Sequence, residues 1–90
     1  MFFLDGEEDC VSFSINDIFI FNINSSKIKQ KINIHKDQIL DVVKLTFNRI
    51  CSCSEDGIIK ILKIIENNNK YEILINIKMN NDYAIQILFS

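Results

Sequence analysis

The side chains best suited to chemistry in this chain are gathered in one stretch: His35, Cys51, Ser52, Cys53 and Asp56. Three kinds of chemistry can be weighed for them. A histidine with two cysteines raises zinc, and a C-x-C pair on a strand points both thiols to one face. Structural zinc needs four ligands, however. The turn-borne C-x-x-C spacing is missing, and Cys10 would have to approach from a separate part of the chain. A Cys–His nucleophile needs an exposed thiol of low pKa, whereas Cys51 and Cys53 alternate through an apolar run that a sheet should cover. Small buried hydrophobes is the role these cysteine positions favour. His35, Ser52 and Asp56 have the composition of a hydrolase triad, but Ser52 lies in the middle of a strand-like run. No G-x-S-x-G turn and no glycine run for an oxyanion hole accompany it. A hydrogen-bonded network that satisfies buried polar groups is the stronger expectation. No metal, no cofactor and no catalytic residue is expected, and the chain is not expected to be an enzyme.

The elements that position these residues are strands. Ile39 to Leu45, Ile50 to Ser54 and Ile58 to Ile64 are apolar, β-branched runs of strand length separated by turn chemistry, which predicts three consecutive antiparallel strands. Asp56-Gly57 marks the tightest turn, with a glycine free to take positive φ and an aspartate able to cap its own backbone. Earlier in the chain, Met1 to Leu4 and Cys10 to Ser14 flank the acidic turn Asp5-Gly-Glu-Glu-Asp9 and predict a hairpin. Glu7 to Asp9 is expected to be a solvated turn, the alternative being a dock for a basic partner. Asp17 to Ile23 is apolar nearly throughout, as in a strand covered on both faces, and Asn24-Ser-Ser26 ends it as a turn. Ile28 to Ile34 alternates, with Ile28, Ile32 and Ile34 in phase, as a sheet edge requires. Glu66 to Lys70 reads as a polar turn, and Ile73, Ile75 and Ile77 form another alternating strand. Phe13, Phe19 and Phe21 are core candidates.

Taken together, His35, Ser52, Asp56 and the strands around them resemble the WD40 repeat, the four-stranded blade of a β-propeller. His35 stands where the family has the histidine before the first strand of a blade. Ser52 matches its second-strand serine, and Asp56 its turn aspartate. The family completes a hydrogen-bonded tetrad with a tryptophan, and Leu62 occupies that position here, so the resemblance implies a network limited to His35, Ser52 and Asp56. A weaker copy precedes it: Phe21-Asn-Ile23 matches Leu62-Lys-Ile64, and Asp37-Gln-Ile39 matches Asp82-Tyr-Ala84, at separations of a blade. The expected architecture is therefore all-β, with antiparallel four-stranded WD40-type blades in an incomplete β-propeller. Residues 1–34 are a partial first blade, 35–78 the second repeat, and 79–90 the opening strand of a third.

Composition bounds the rest. With 48% apolar residues in 90 and a formal charge of -2, the chain falls among folded domains and carries no field to attract nucleic acid. No apolar run reaches the roughly 18 to 20 residues that cross a bilayer, so no membrane partner is expected. Met1-Phe-Phe-Leu followed by acidic residues is too short for a signal-peptide core, and three cysteines read as reduced thiols. A cytoplasmic, or nuclear, location is the expectation. The strong use of Ile, Asn, Lys and Phe reads as genome composition, so single asparagines carry little weight. The resemblance implies a non-enzymatic scaffold for protein–protein interaction, a piece of a larger propeller whose partners are other proteins or further blades. Self-association through exposed blade faces stays open. The alternative is a truncated remnant without independent function.

Overall fold

A computed structural model of the chain describes residues 1–6, 8–65 and 70–78. The described residues form eight strands in two antiparallel sheets and contain no helix: β1 (Phe2–Phe3), β2 (Asp9–Phe13), β3 (Ile18–Asn22) and β4 (Ile28–Ile32) in the first, β5 (Ile39–Lys44), β6 (Arg49–Ser54), β7 (Ile58–Ile65) and β8 (Lys70–Lys78) in the second. In both sheets the strands lie side by side in chain order. Such a meander follows from its short turns. At the β6–β7 turn Gly57 takes φ 80°, the Gly57 amide reaches the Ser54 carbonyl at 3.1 Å, and the Asp56 carboxylate accepts from the Ile58 amide at 3.0 Å.

The register separates two faces on each sheet. In the first sheet Phe2, Val11, Ile20 and Gln30 share one row and Phe13, Ile18 and Ile32 another on the same face, while Phe3, Cys10, Phe21 and Ile28 line up on the opposite face. In the second sheet Lys44, Ile50, Leu62 and Ile73 share a face with Val42, Ser52, Lys60 and Asn76. Val43, Cys51, Ile61 and Ile75 lie on the other, with Asp41, Cys53, Ile59 and Ile77. The sheets meet through the first of these faces in each case: Leu4, Val11, Ile18, Ile20 and Ile32 join Ile39, Val42, Ile50, Leu62 and Ile64 in one buried cluster. Each fully buried aliphatic side chain there contributes about 1.5–3 kcal/mol. Polar links reinforce the contact, among them Ile39 N–H to the Ile15 carbonyl at 2.7 Å and the Gln30 side-chain amide to the Lys70 carbonyl at 3.2 Å.

Several positions depart from the sequence expectation, each for a local reason. Ile28 is 63% exposed, because a register shift between Ile20 and Phe21 pairs it with Phe21 on the outer face and breaks the alternation that runs through Gln30 and Ile32. Phe13, Phe19 and Phe21 are not core: Phe13 is exposed near the end of β2, and Phe19 and Phe21 are half-buried on the outer face, opposite Ile18 and Ile20. Asp9 is no solvated turn residue. It opens β2 at 1% exposure, with Lys29 Nζ 2.7 Å from its carboxylate and the Asn22 side-chain amide at 3.4 Å. Lys70 belongs to a strand instead of the preceding turn. The expected opening strand in 79–90 and the rest of the 66–70 turn lie outside the described residues.

Truncating the inner face should therefore cost far more than truncating the outer one. Leu62→Ala is expected to lose about 2–5 kcal/mol and Ile28→Ala no more than about 0.5 kcal/mol, read from urea unfolding of the two variants; equal losses would contradict the face assignment.

Candidate functional site

His35 arrives from the segment joining the two sheets and is 3% exposed; Ser52, in the middle of β6 on the inner face, is fully buried. The linking segment lies against the second sheet there, and His35 Nε2 and Ser52 Oγ share a hydrogen bond of 2.7 Å. Asp56 does not join the ring. Its carboxylate accepts from the Ser54 hydroxyl and from the Ile58 amide, which ties it to the β6–β7 turn. The other ring nitrogen, Nδ1 of His35, is buried and has no hydrogen-bond partner among the described residues. Leu62 is fully buried in the shared core. It contributes apolar packing alone and offers Ser52 no donor.

The electrostatics follow from this placement. Burial, and after it the nearby Lys60 ammonium, pushes the His35 pKa below its ordinary 6.5, against a smaller opposing pull from Asp56. The imidazole is therefore neutral at pH 7. Burial on its own would raise the Asp56 pKa; the Ser54 and Ile58 donors, and after them the Lys78 ammonium, outweigh it and hold the carboxyl below its ordinary value. Lys60 is positioned on the inner face by β7 and donates to the Ile34 carbonyl at 2.7 Å, the residue just before His35. Burial and then Cys53 push the Cys51 thiol up to about 11, and burial raises Cys53 as well. Both thiols sit with Ile59 in a second buried cluster, on the outer face of the second sheet, and Cys10 is buried on the outer face of the first. A thiol of raised pKa is a poor nucleophile and a poor metal ligand at neutral pH. The described residues hold no group of three or more His, Cys, Asp or Glu side chains arranged for a metal ion.

The His35–Ser52 and Lys60–Ile34 bonds tie the segment between the sheets to the second sheet. A hydrolase triad needs its carboxylate on the second ring nitrogen and its serine open to substrate; here Asp56 bonds elsewhere and Ser52 is enclosed. Ser54, Lys60 and Asn48 complete the polar framework, although composition and motif spacing did not single them out. Asn48 exchanges two hydrogen bonds with Asp5, its side-chain oxygen accepting from the Asp5 amide at 2.8 Å and its own amide donating to the Asp5 carboxylate at 2.9 Å, and so clamps the first sheet's turn to the second. Phe47 and Asn48 both adopt left-handed backbone, φ 61° and 55°, a cost that falls more heavily on the phenylalanine. Beside them Arg49 lies 5.7 Å from the Phe47 ring centre, and Lys44 3.5 Å from the Asp5 carboxylate. The signal in the sequence was the Asn48 turn position, hidden by the abundance of asparagine.

The chain matches no protein-family model and no curated protein. Among the described residues, no helix is long and apolar enough to cross a membrane.

Asp56→Ala should destabilise the fold by about 1–3 kcal/mol through loss of the turn hydrogen bonds and an unpaired Ser54 hydroxyl; an unchanged melting temperature would contradict that role. His35 is the chain's only histidine, so one pH window isolates it. Its folded pKa lies below the unfolded value, so the unfolded chain binds the extra proton. Stability is then complete above about pH 6.5 and falls as the pH drops from there toward the folded pKa, with a slope of at most about 1.4 kcal/mol per pH unit. Chemical denaturation between pH 7.5 and 5 should record this decline in the wild type and a flat profile in His35→Gln.

Proposed function

We propose that the chain is a non-enzymatic protein–protein interaction module built from two WD40-type blades, a section of a β-propeller rather than a closed one. The observation that carries this is the internal repetition of the sheets. Each has four antiparallel strands in chain order, and the register shift between Ile20 and Phe21 in the first recurs between Ile61 and Leu62 in the second. Repetition of a sheet unit at blade length, with a histidine before the first strand of the second unit joined to a serine in its second strand, is what the WD40 resemblance calls for. The polar residues that raise catalysis or metal binding are occupied in structural bonds or enclosed in apolar clusters.

Blade modules act by presenting rigid edges and loops to other proteins, and fold analogy alone sets that function class. Among the described residues the β5–β6 turn offers one such surface. Phe47 is 76% exposed there and stands beside Arg49 and Lys44 at the rim of an open groove of about 700 Å³. Exposed aromatic and arginine side chains are the residue types that anchor protein contacts.

The test is affinity capture with the purified chain as bait, identification of the retained proteins, and reconstitution with the purified partner. Binding that Phe47→Ala or Arg49→Ala weakens at least tenfold is the expected result. Failure of the folded chain to retain any protein, or hydrolytic turnover abolished by Ser52→Ala in a folded variant, would overturn the proposal.

A further inference from the structure

We propose that copies of this chain dock head to tail, the outer face of the first sheet in one copy (Phe3, Cys10, Phe19, Phe21) covering the outer face of the second sheet in the next (Val43, Cys51, Ile59, Ile61). The inference rests on the blade-module proposal above and names the partner of its open faces.

The register supplies the argument. Aligning the two sheets by their common register shift sets Ile20 against Ile61 and Phe21 against Leu62; the partners across the next strand then coincide as well, Gln30 with Ile75 and Ile28 with Ile73. Carried along the ladders, Val11 corresponds to Cys51, Ile18 to Ile59, Cys10 to Ile50 and Ser12 to Ser52. The face that the first sheet turns inward is thus the counterpart of the face that the second sheet turns outward. Likewise the inward face of the second sheet corresponds to the outward face of the first. The sheets follow one another by the same step instead of facing each other across a two-fold axis, and the contact between them joins unlike faces.

Among the described residues two faces stay open, and they are again one of each kind. On the second sheet, Cys51, Cys53 and Ile59 are already clustered with Val43, Leu45 and Ile61, and Ile75 and Ile77 extend the surface at 41% and 47% exposure. On the first, Phe19 and Phe21 are half-buried, and Phe3 and Ile28 are 43% and 63% exposed. Apolar surface on this scale marks an interaction site. A second copy provides the matching surface for either face, by continuing a contact that the chain already makes within itself. Such a heterologous contact closes into a ring or propagates as a fibre; with propellers of about 4 to 8 blades, closure takes roughly two to four copies.

Two blocked variants of the full chain test this, Phe21→Asp on the first sheet and Ile61→Asp on the second, with masses measured by sedimentation equilibrium over a range of concentrations. The wild type should exceed the 10.5 kDa of one chain and grow with concentration, each variant alone should stay monomeric, and an equimolar mixture should form a one-to-one pair, since one good face of each kind remains. Should either variant lose its β-sheet circular dichroism, Phe19→Lys and Ile75→Lys replace them; position 19 corresponds to the natural Lys60. A wild type that is monomeric at every concentration, a mixture that does not pair, or a single blocked variant that still dimerises overturns head-to-tail docking. A monomeric wild type that nonetheless binds an identified protein leaves the interaction module standing; one that also binds no protein removes both.

Discussion

The fold depends on one contact, the apolar seam between the two sheets. Neither sheet is self-sufficient: a four-stranded meander has no second layer, and its buried face needs another element against it. Here Val11, Ile18, Ile20 and Ile32 find that element in Ile50, Leu62 and Ile64. Every polar feature of note lies at or around this seam. His35 and Ser52 are enclosed by it, Lys60 reaches across toward the linking segment, and Asp5 with Asn48 pins the sheets together beside it.

That placement decides what the polar groups do. A histidine–serine hydrogen bond in an open cleft is an invitation to chemistry; under an apolar seam it satisfies two groups whose burial would otherwise cost about 1–3 kcal/mol each. The same logic holds for the thiols. Cys51 and Cys53 share a strand face with aliphatic side chains, and burial moves their pKa away from the reactive range. Asp9 shows the compensating strategy for a charge: a carboxylate at 1% exposure is tolerated because Lys29 and Asn22 both address it.

Much of the strand pattern was legible because β-structure writes itself locally. Runs such as Ile58 to Ile64, bounded by Asp56-Gly57, carry period, length and turn chemistry in a few residues. Where the local pattern misled, a long-range event intervened. The register shift at Ile20 and Phe21 turned Ile28 outward, and the pairing of β2 with β3 drew Asp9 out of its turn and into the sheet. The phenylalanines misled for a related reason. In a strand that is apolar on both faces, residue type cannot tell which face will be covered.

The amino-acid sequence determined, unaided, that this chain is made of antiparallel strands and that they fall into two similar sets, since alternation, turn residues and spacing act over short distances; that His35, Ser52 and Asp56 belong to one neighbourhood was what the resemblance implied. Only the tertiary structure decided that His35 pairs with Ser52 while Asp56 turns to Ser54, that Asn48 and Asp5 lock the sheets, and that the two sheets join through unlike faces. Those outcomes depend on the side on which a strand meets its neighbour and on what then lies above it. Contacts between residues far apart in the chain fix both.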